Sequence, residues 1–269
     1  MHAKIMRFYP FFIFLLTIVS CKQIDETIVD TDIETIENVS VESSVLSEFD
    51  FLPTSTSNAI YKHATYTLSY VEDYEQAEWV AYSLEPTDIK EVNFDRPFFE
   101  IDEAVVTGSA HWKNYKNSGY NKGHLCPAGD RRGSYKDFEE TFLTSNISPQ
   151  TYEFNSGVWN RLEQKVRYWA KKYDGIYVIT AGVLSDNLKT IGFEKVAVPK
   201  YFYKVLLTKD KTRMIGFLVP HKDSDKPLYE FVVPVDTIEK MTGIDFFPEL
   251  DDELENRLES KGDYKEWSF

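Results

Sequence analysis

The sequence predicts an α+β domain, and three observations predict it. Several short runs read as strands, either alternating or continuously apolar. One long stretch, residues 155–173, carries Val158, Leu162, Val166, Trp169 and Ala170 at helical spacing. Strands and helices are mixed without the regular strand–helix–strand alternation that builds a parallel sheet.

In chain order, residues 64–71 (ATYTLSYV) alternate and 78–83 (EWVAYS) form a second strand candidate. Residues 94–102 are irregular and 111–117 are polar. A short helix is expected over 136–144, then the long helix over 155–173. Residues 175–182 (GIYVITAG) read as a buried strand, and 201–207 and 214–219 as further strands. Residues 236–242 read as a helix capped by Asp236, with Glu239 three residues on and Gly243 just beyond its end. A last, surface-type helix is expected over 251–260.

The N-terminus predicts export. His2, Lys4 and Arg7 precede a short apolar run that stops at Cys21, which fits a secretory signal over residues 1–20 and is too short for a comfortable membrane span. Ile18-Val19-Ser20-Cys21 resembles a bacterial lipobox, in which the cysteine is lipidated; an ordinary signal peptide with a coincidental cysteine is the alternative. Residues 21–58 are acidic and Ser/Thr-rich and read as a disordered tether, with the folded domain over 59–269. Lipidation of Cys21 would leave Cys126 as the one remaining cysteine, so neither an internal disulfide nor a cysteine-rich zinc site is available.

The 269 residues suffice for a sizeable core, and 15% of them are aromatic. The formal net charge of −14 argues against a partner held by bulk positive charge, so binding to nucleic acid needs local evidence. Lys113, Lys116, Lys122, Arg131, Arg132, Lys136 and Arg167 supply a candidate basic cluster; a merely solvated patch is the alternative.

Two segments carry candidate chemistry. In YNKGHLCPAGD (120–130), Gly123 leaves room for a close approach, and the Cys-Pro-Ala-Gly loop would end a strand with the imidazole of His124 at its mouth. A lone histidine is more often a packing residue. In TSNISPQTYEFNSGVWNRLEQKVR (144–167), Asn155, Trp159, Glu163 and Arg167 follow at steps of four along one ridge of a helix. An N-cap followed by a Glu–Arg surface pair is the alternative there.

Together, NKGHLCPAGD, SNISPQ and NSGVWNRLE resemble the DNA/RNA non-specific endonuclease family. These are ββα-metal (His-Me finger) nucleases, which include secreted bacterial nucleases and mitochondrial endonuclease G. The resemblance extends weakly through most of residues 60–250. It implies a central, mostly antiparallel sheet flanked by helices. It also implies Mg²⁺-dependent hydrolysis of DNA and RNA, with Mn²⁺ as a substitute. By the same resemblance His124 is the general base and Asn155 the one direct protein ligand of the metal. Glu163 holds a water of the ion, and Arg167 contacts phosphate. Lys122 falls in the catalytic motif, and Arg96, Arg131 and Asn146 on the substrate side, Asn146 chiefly supporting the histidine loop. Asn121-Lys122 replaces the family's Asp-Arg, which removes a bidentate fork. The expectation is a lipid-anchored nuclease of the bacterial cell envelope, attached to the membrane through Cys21. A nuclease-fold binding protein that has lost catalysis is the alternative, and a phosphodiesterase for another substrate shares the chemistry.

Overall fold

The computed structural model describes residues 49–269. The expected signal peptide, Cys21 and the expected tether up to residue 48 lie outside the described residues. Among those described, no helix is long and apolar enough to cross a membrane.

Seven antiparallel strands form the main sheet in the order β1-β2-β3-β6-β9-β10-β11. They are β1 (Ile60–Lys62), β2 (Thr67–Val71), β3 (Gln76–Leu84), β6 (Ile176–Gly182), β9 (Tyr201–Thr208), β10 (Met214–Pro220) and β11 (Val232–Val233). Two smaller ladders stand apart: β4 (Asn121–His124) with β5 (Ile147–Gln150), and β7 (Lys189–Ile191) with β8 (Val196–Val198). The helices are α1 (Tyr135–Glu140), α2 (Tyr152–Phe154), α3 (Asn160–Lys172), α4 (Val235–Thr242) and α5 (Asp252–Glu259). The α+β class read from the sequence is therefore the observed one.

The sheet lies between α3 on one face and α4 on the other. Alternation along β9 and β10 divides the work. Phe202 and Phe217 face α3, where Phe202 meets Trp159 at 5.5 Å and Phe217 stacks on Trp169 at 5.9 Å. Tyr203 faces the other way onto Phe246, and Gly216 is close against Ile238 of α4. The apolar stripe expected on the long helix is real: Leu162, Val166, Trp169 and Ala170 are all buried.

Two boundaries differ from the sequence reading. Residues 49–58, assigned to the tether, pack on the sheet. Phe51 stacks on Tyr177 at 4.6 Å, and Trp79 Nε1 donates to the Thr54 carbonyl at 2.9 Å. The buried Glu78 carboxylate accepts from Ser55 Oγ, Thr56 N and Ser69 Oγ. An acidic, Ser/Thr-rich composition concealed this because the partner is itself a buried acid, which needs hydroxyl and amide donors. Also, α4 starts at Val235 with Pro234 before it, and Asp236 makes no cap. Glu239 instead accepts from Phe246 N at 3.0 Å, while Gly243, at φ 74°, ends the helix as expected.

The β4–β5 ladder positions the candidate site. Gly123 pairs with Ser148 and His124 with Ile147. A Cβ on Gly123 would lie 2.2 Å from the side-chain Cδ and Oε1 of the buried Gln150. The close approach expected at Gly123 is thus the Gln150 amide. Gly123→Ala should destabilise the fold by about 1–3 kcal/mol through overpacking. In thermal and urea unfolding, the added change Gln150→Ala should restore part of that loss.

Candidate active site

β4, β5 and the helical segment after them form one ββα unit. His124 ends β4, and the chain then turns through Leu125 and Cys126. Asn146 holds that turn: its Oδ1 accepts from Cys126 N at 2.8 Å, and its Nδ2 donates to the carbonyls of Cys126 and Thr141. Asn146 is fully buried, so it shapes the histidine loop and does not touch substrate, which corrects its place on the substrate side. Cys126 is buried too, and burial pushes its thiol up to about 12, which makes it a packing residue.

The helix after β5 starts earlier than the sequence suggested. Thr151 is its cap, accepting from Phe154 N at 3.3 Å, and Asn155 lies inside the helical segment. His221 fixes this corner, its Nε2 accepting from Thr151 N at 2.9 Å and its Nδ1 lying 2.8 Å from the Pro199 carbonyl. Residues Asn155–Trp159 form a π-turn in which Gly157 leaves helical geometry at φ −93°, ψ −111°. Such wide turns alter which side chains share a face. Steps of four therefore do not all stay on one ridge: Trp159 turns into the core against Phe154 and Phe202, while Asn155, Glu163 and Arg167 line one cleft.

That cleft, of about 480 Å³, also receives His124, Arg96, Arg132, Asn93 and Asn160. It adjoins a second cleft of about 650 Å³ that shares Asn93, Gly129, Arg132 and Arg167 with it and adds Lys90, Gln164, Tyr168 and Lys171. Of the basic residues grouped by sequence, only Arg132 and Arg167 reach this groove. Arg131 is corrected: it is buried, its guanidinium donating to the carbonyls of Thr65, Ser83 and Asp130 and lying over the Tyr82 ring. Lys122 does not line the cleft. It shares the His124 face of β4, two residues away, and its Nζ lies over the Phe99 ring at 5.1 Å.

Electrostatics in the cleft follow from burial. The His124 ring packs against Phe142 at 4.9 Å and Phe99 at 5.4 Å, and its Nε2 is buried without a hydrogen-bond partner. Burial, then the positive charge of Arg96, lowers its pKa to about 3, so the imidazole is neutral at pH 7. Burial pushes Glu163 up to about 7; Lys204 and Arg167 pull it down and Asp130 pushes it further up. Arg167 donates to Asp130 Oδ1 at 2.7 Å, and Tyr82 OH donates to the other oxygen at 2.8 Å. Gly129 makes room for that guanidinium, since a Cβ there would lie 3.0 Å from Arg167 Nη1.

Asp130 and Lys204 were not singled out from the sequence. Lys204 is fully buried, its Nζ donating to Thr180 Oγ1 at 3.1 Å and lying 4.5 Å from the Trp159 ring centre. A lysine inside the apolar run of β9 was the available signal, because a buried ammonium needs a charged or polar reason.

With this geometry in view, comparison with known proteins is decisive. The family model for DNA/RNA non-specific endonucleases matches residues 49–253. The chain belongs to the DNA/RNA non-specific endonuclease family. Its start at residue 49 agrees with the packed segment before β1. The zebrafish (Danio rerio) mitochondrial nuclease EXOG is 35% identical over 207 residues, 70% of this chain and 60% of that protein. Human mitochondrial endonuclease G is 30% identical, covering 69% of this chain and 68% of that one. Nuclease C1 of Cunninghamella echinulata var. echinulata is 31% identical over 73% of this chain and 85% of that protein. A crystal structure of an EndoG/EndoGI complex superposes with a TM-score of 0.67 at 31% identity, covering 72% of this chain and 88% of that one. The fold is thus the ββα-metal nuclease fold expected from the motifs. The chain spans about three fifths of the length of the EXOG relatives it matches.

The family histidine makes a signed stability prediction. Folded His124 stays neutral down to about pH 3, whereas an unfolded histidine takes its proton near 6.5. Between these values the unfolded state binds more protons, so stability falls as pH drops below 6.5. In EDTA, moving from pH 7 to pH 5 should cost the wild type about 1–2 kcal/mol more than it costs His124→Asn, because solvent reaches part of the ring. Urea unfolding at the two pH values measures the difference.

Proposed function

We propose that this protein hydrolyses phosphodiester bonds of DNA and RNA with little sequence preference, using Mg²⁺ (or Mn²⁺ in its place). In this reading it works at the bacterial cell envelope from a lipid anchor at Cys21. The observation that carries the catalytic reading is the convergence of His124, Asn155, Glu163, Arg96 and Arg167 on one cleft. The donor set suits magnesium. The amide oxygen of Asn155 would be the direct ligand, and Glu163 in the same cleft would hold a water of the ion. Mg²⁺ keeps most of its waters and shares its coordination with substrate phosphate. When bound, the ion offsets negative charge developing on the phosphoryl and leaving oxygens.

The chain's own groups do the rest. His124 is neutral and therefore already in the base form. With Nε2 buried, Nδ1 is the nitrogen that takes the proton of the attacking water. Arg96 lowers the basicity of that ring in the free protein. Burial is the larger cause of that low basicity, and a phosphate bound to Arg96 offsets only the smaller one, the guanidinium charge. Asp130 holds one edge of Arg167, so that the remaining N–H groups face the phosphate. Glu163 orients water on the helix side of the cleft.

The lining also supports the substrate class. In the adjoining cleft Arg132, Lys90 and Lys171 outnumber the single carboxylate, Glu91, which suits a polyanion longer than one nucleotide. Guanidinium and ammonium groups engage phosphates, which carry no sequence information. A strongly acidic protein can therefore hold nucleic acid locally, and its binding should weaken steeply with salt.

The EXOG and endonuclease G relatives are named mitochondrial. The anchor reading instead rests on the basic start, the apolar run and Ile18-Val19-Ser20-Cys21.

Purified wild type should nick plasmid and degrade RNA in Mg²⁺, and EDTA should stop both. His124→Ala should lower the rate by about 10²–10⁴-fold with the fold unchanged by circular dichroism. Undiminished nicking in that variant overturns the mechanism, and no turnover of plasmid or RNA by wild type overturns the nuclease reading in favour of the binding alternative or a phosphodiesterase for another substrate. Separately, Cys21→Ser should move the expressed protein from the membrane fraction to the soluble fraction. Equal membrane association of the two overturns the anchor.

A further inference from the structure

Away from the cleft, five carboxylates gather where α4, the segment after it and α5 meet. Asp236 and Glu239 stand three residues apart on α4, Glu255 and Glu259 four apart on α5, and Asp245 lies between the helices in sequence. One oxygen each from Asp236, Glu239 and Glu259 lie within 4.8 Å of one another, and so do one each from Asp245, Glu255 and Glu259. Glu259 is common to both groups.

Acidic clusters on a surface are ordinary, but Glu259 is not on the surface. It is 6% exposed, and its Oε1 is buried with no hydrogen-bond partner, as is Oε1 of Glu255. Among the described residues, none of the five carboxylates forms an ion pair. The neighbouring Lys240 is exposed and pairs with none of them. A buried, unpaired carboxylate facing four others is costly unless something positive joins it.

We propose that Glu259 binds Ca²⁺, together with Asp236 and Glu239 on one side and Asp245 and Glu255 on the other. Carboxylate oxygens are hard donors, and Ca²⁺ takes six to eight of them in irregular shells at 2.3–2.6 Å, which allows oxygens on one ion to stand up to about 5 Å apart. Mg²⁺ demands a regular octahedron and is usually held by one or two carboxylates with retained waters, so five acids suit calcium. The site shares no residue with the cleft that contains His124. Its effect is to clamp α5 to α4. The chain beyond α5 then packs Trp267 against Trp169 at 4.9 Å, on the helix that carries Glu163 and Arg167.

Titration calorimetry and thermal melting of metal-stripped protein with CaCl₂ alone test the site. Wild type should bind Ca²⁺ and melt about 5 °C or more higher at roughly 100 times the dissociation constant. Asn155→Ala should keep that shift, which separates this site from the catalytic cleft. Glu259→Gln should lose it, and in EDTA should melt no lower than wild type, since the amide keeps the shape of the side chain and adds no charge beside the other four acids. If Glu259→Gln fails to fold, the half-buried Glu255→Gln carries the same expectation of a reduced shift. Absence of a Ca²⁺ response in wild type overturns the proposal, as does a shift kept by both glutamine variants or lost in Asn155→Ala. A melt raised by acidification to pH 5.5 but not by Ca²⁺ assigns the cluster a proton and also overturns it.

Discussion

The four-residue ladder between β4 and β5 is the constraint on which the site depends. Its register sets His124 against Ile147, and the Asn146 amide locks the turn that follows. Because β5 runs almost directly into the helical segment, that register also fixes where Asn155 and Glu163 emerge. Side chains alternate along a strand, so a slip of one residue would aim the imidazole away from the cleft. Gly123 enforces the register from the opposite face, since only a hydrogen leaves space for the Gln150 side chain.

The second organising feature is charge held in low dielectric. Asp130 and Lys204 lie beneath the cleft and act on Arg167 and Glu163 in its wall, with Tyr82 closing the far side of Asp130. Buried charges are tolerated when they satisfy one another, and such groups hold side chains in fixed positions. The effect here is to present Arg167 and Glu163 at a defined distance from the sheet, on a helix anchored by Trp169. Arg96 and Arg132 then meet a site whose geometry is already set. This is how a chain of net charge −14 keeps a locally positive groove.

Much of this was legible beforehand. The NKGH segment and the stretch 144–167 singled out His124, Asn155, Glu163 and Arg167, but spacing alone left a packing histidine and a Glu–Arg surface pair open, and their roles came from the family resemblance. Arg96 was legible only through the family pattern, and it does line the cleft. Other readings failed for identifiable reasons. Arg131 and Arg132 are adjacent and chemically equal, and only packing decides that the first is buried under Tyr82 while the second faces the groove. Trp159 obeyed the step of four in sequence, but the π-turn at Gly157 rotated it into the core.

By itself the sequence determined the kind of each main element, the two motifs and their family, because periodicity and contiguous motifs are local properties. Tertiary structure alone decided which cations reach the cleft, that Lys204 and Asp130 lie beneath it, and that an apparently surface helix buries Glu259 among four other acids. The physical reason is common to all three. A side chain's exposure and electrostatic neighbours are set by elements distant in the chain, as β9 is from α3 and α4 is from α5, and no local pattern records those meetings.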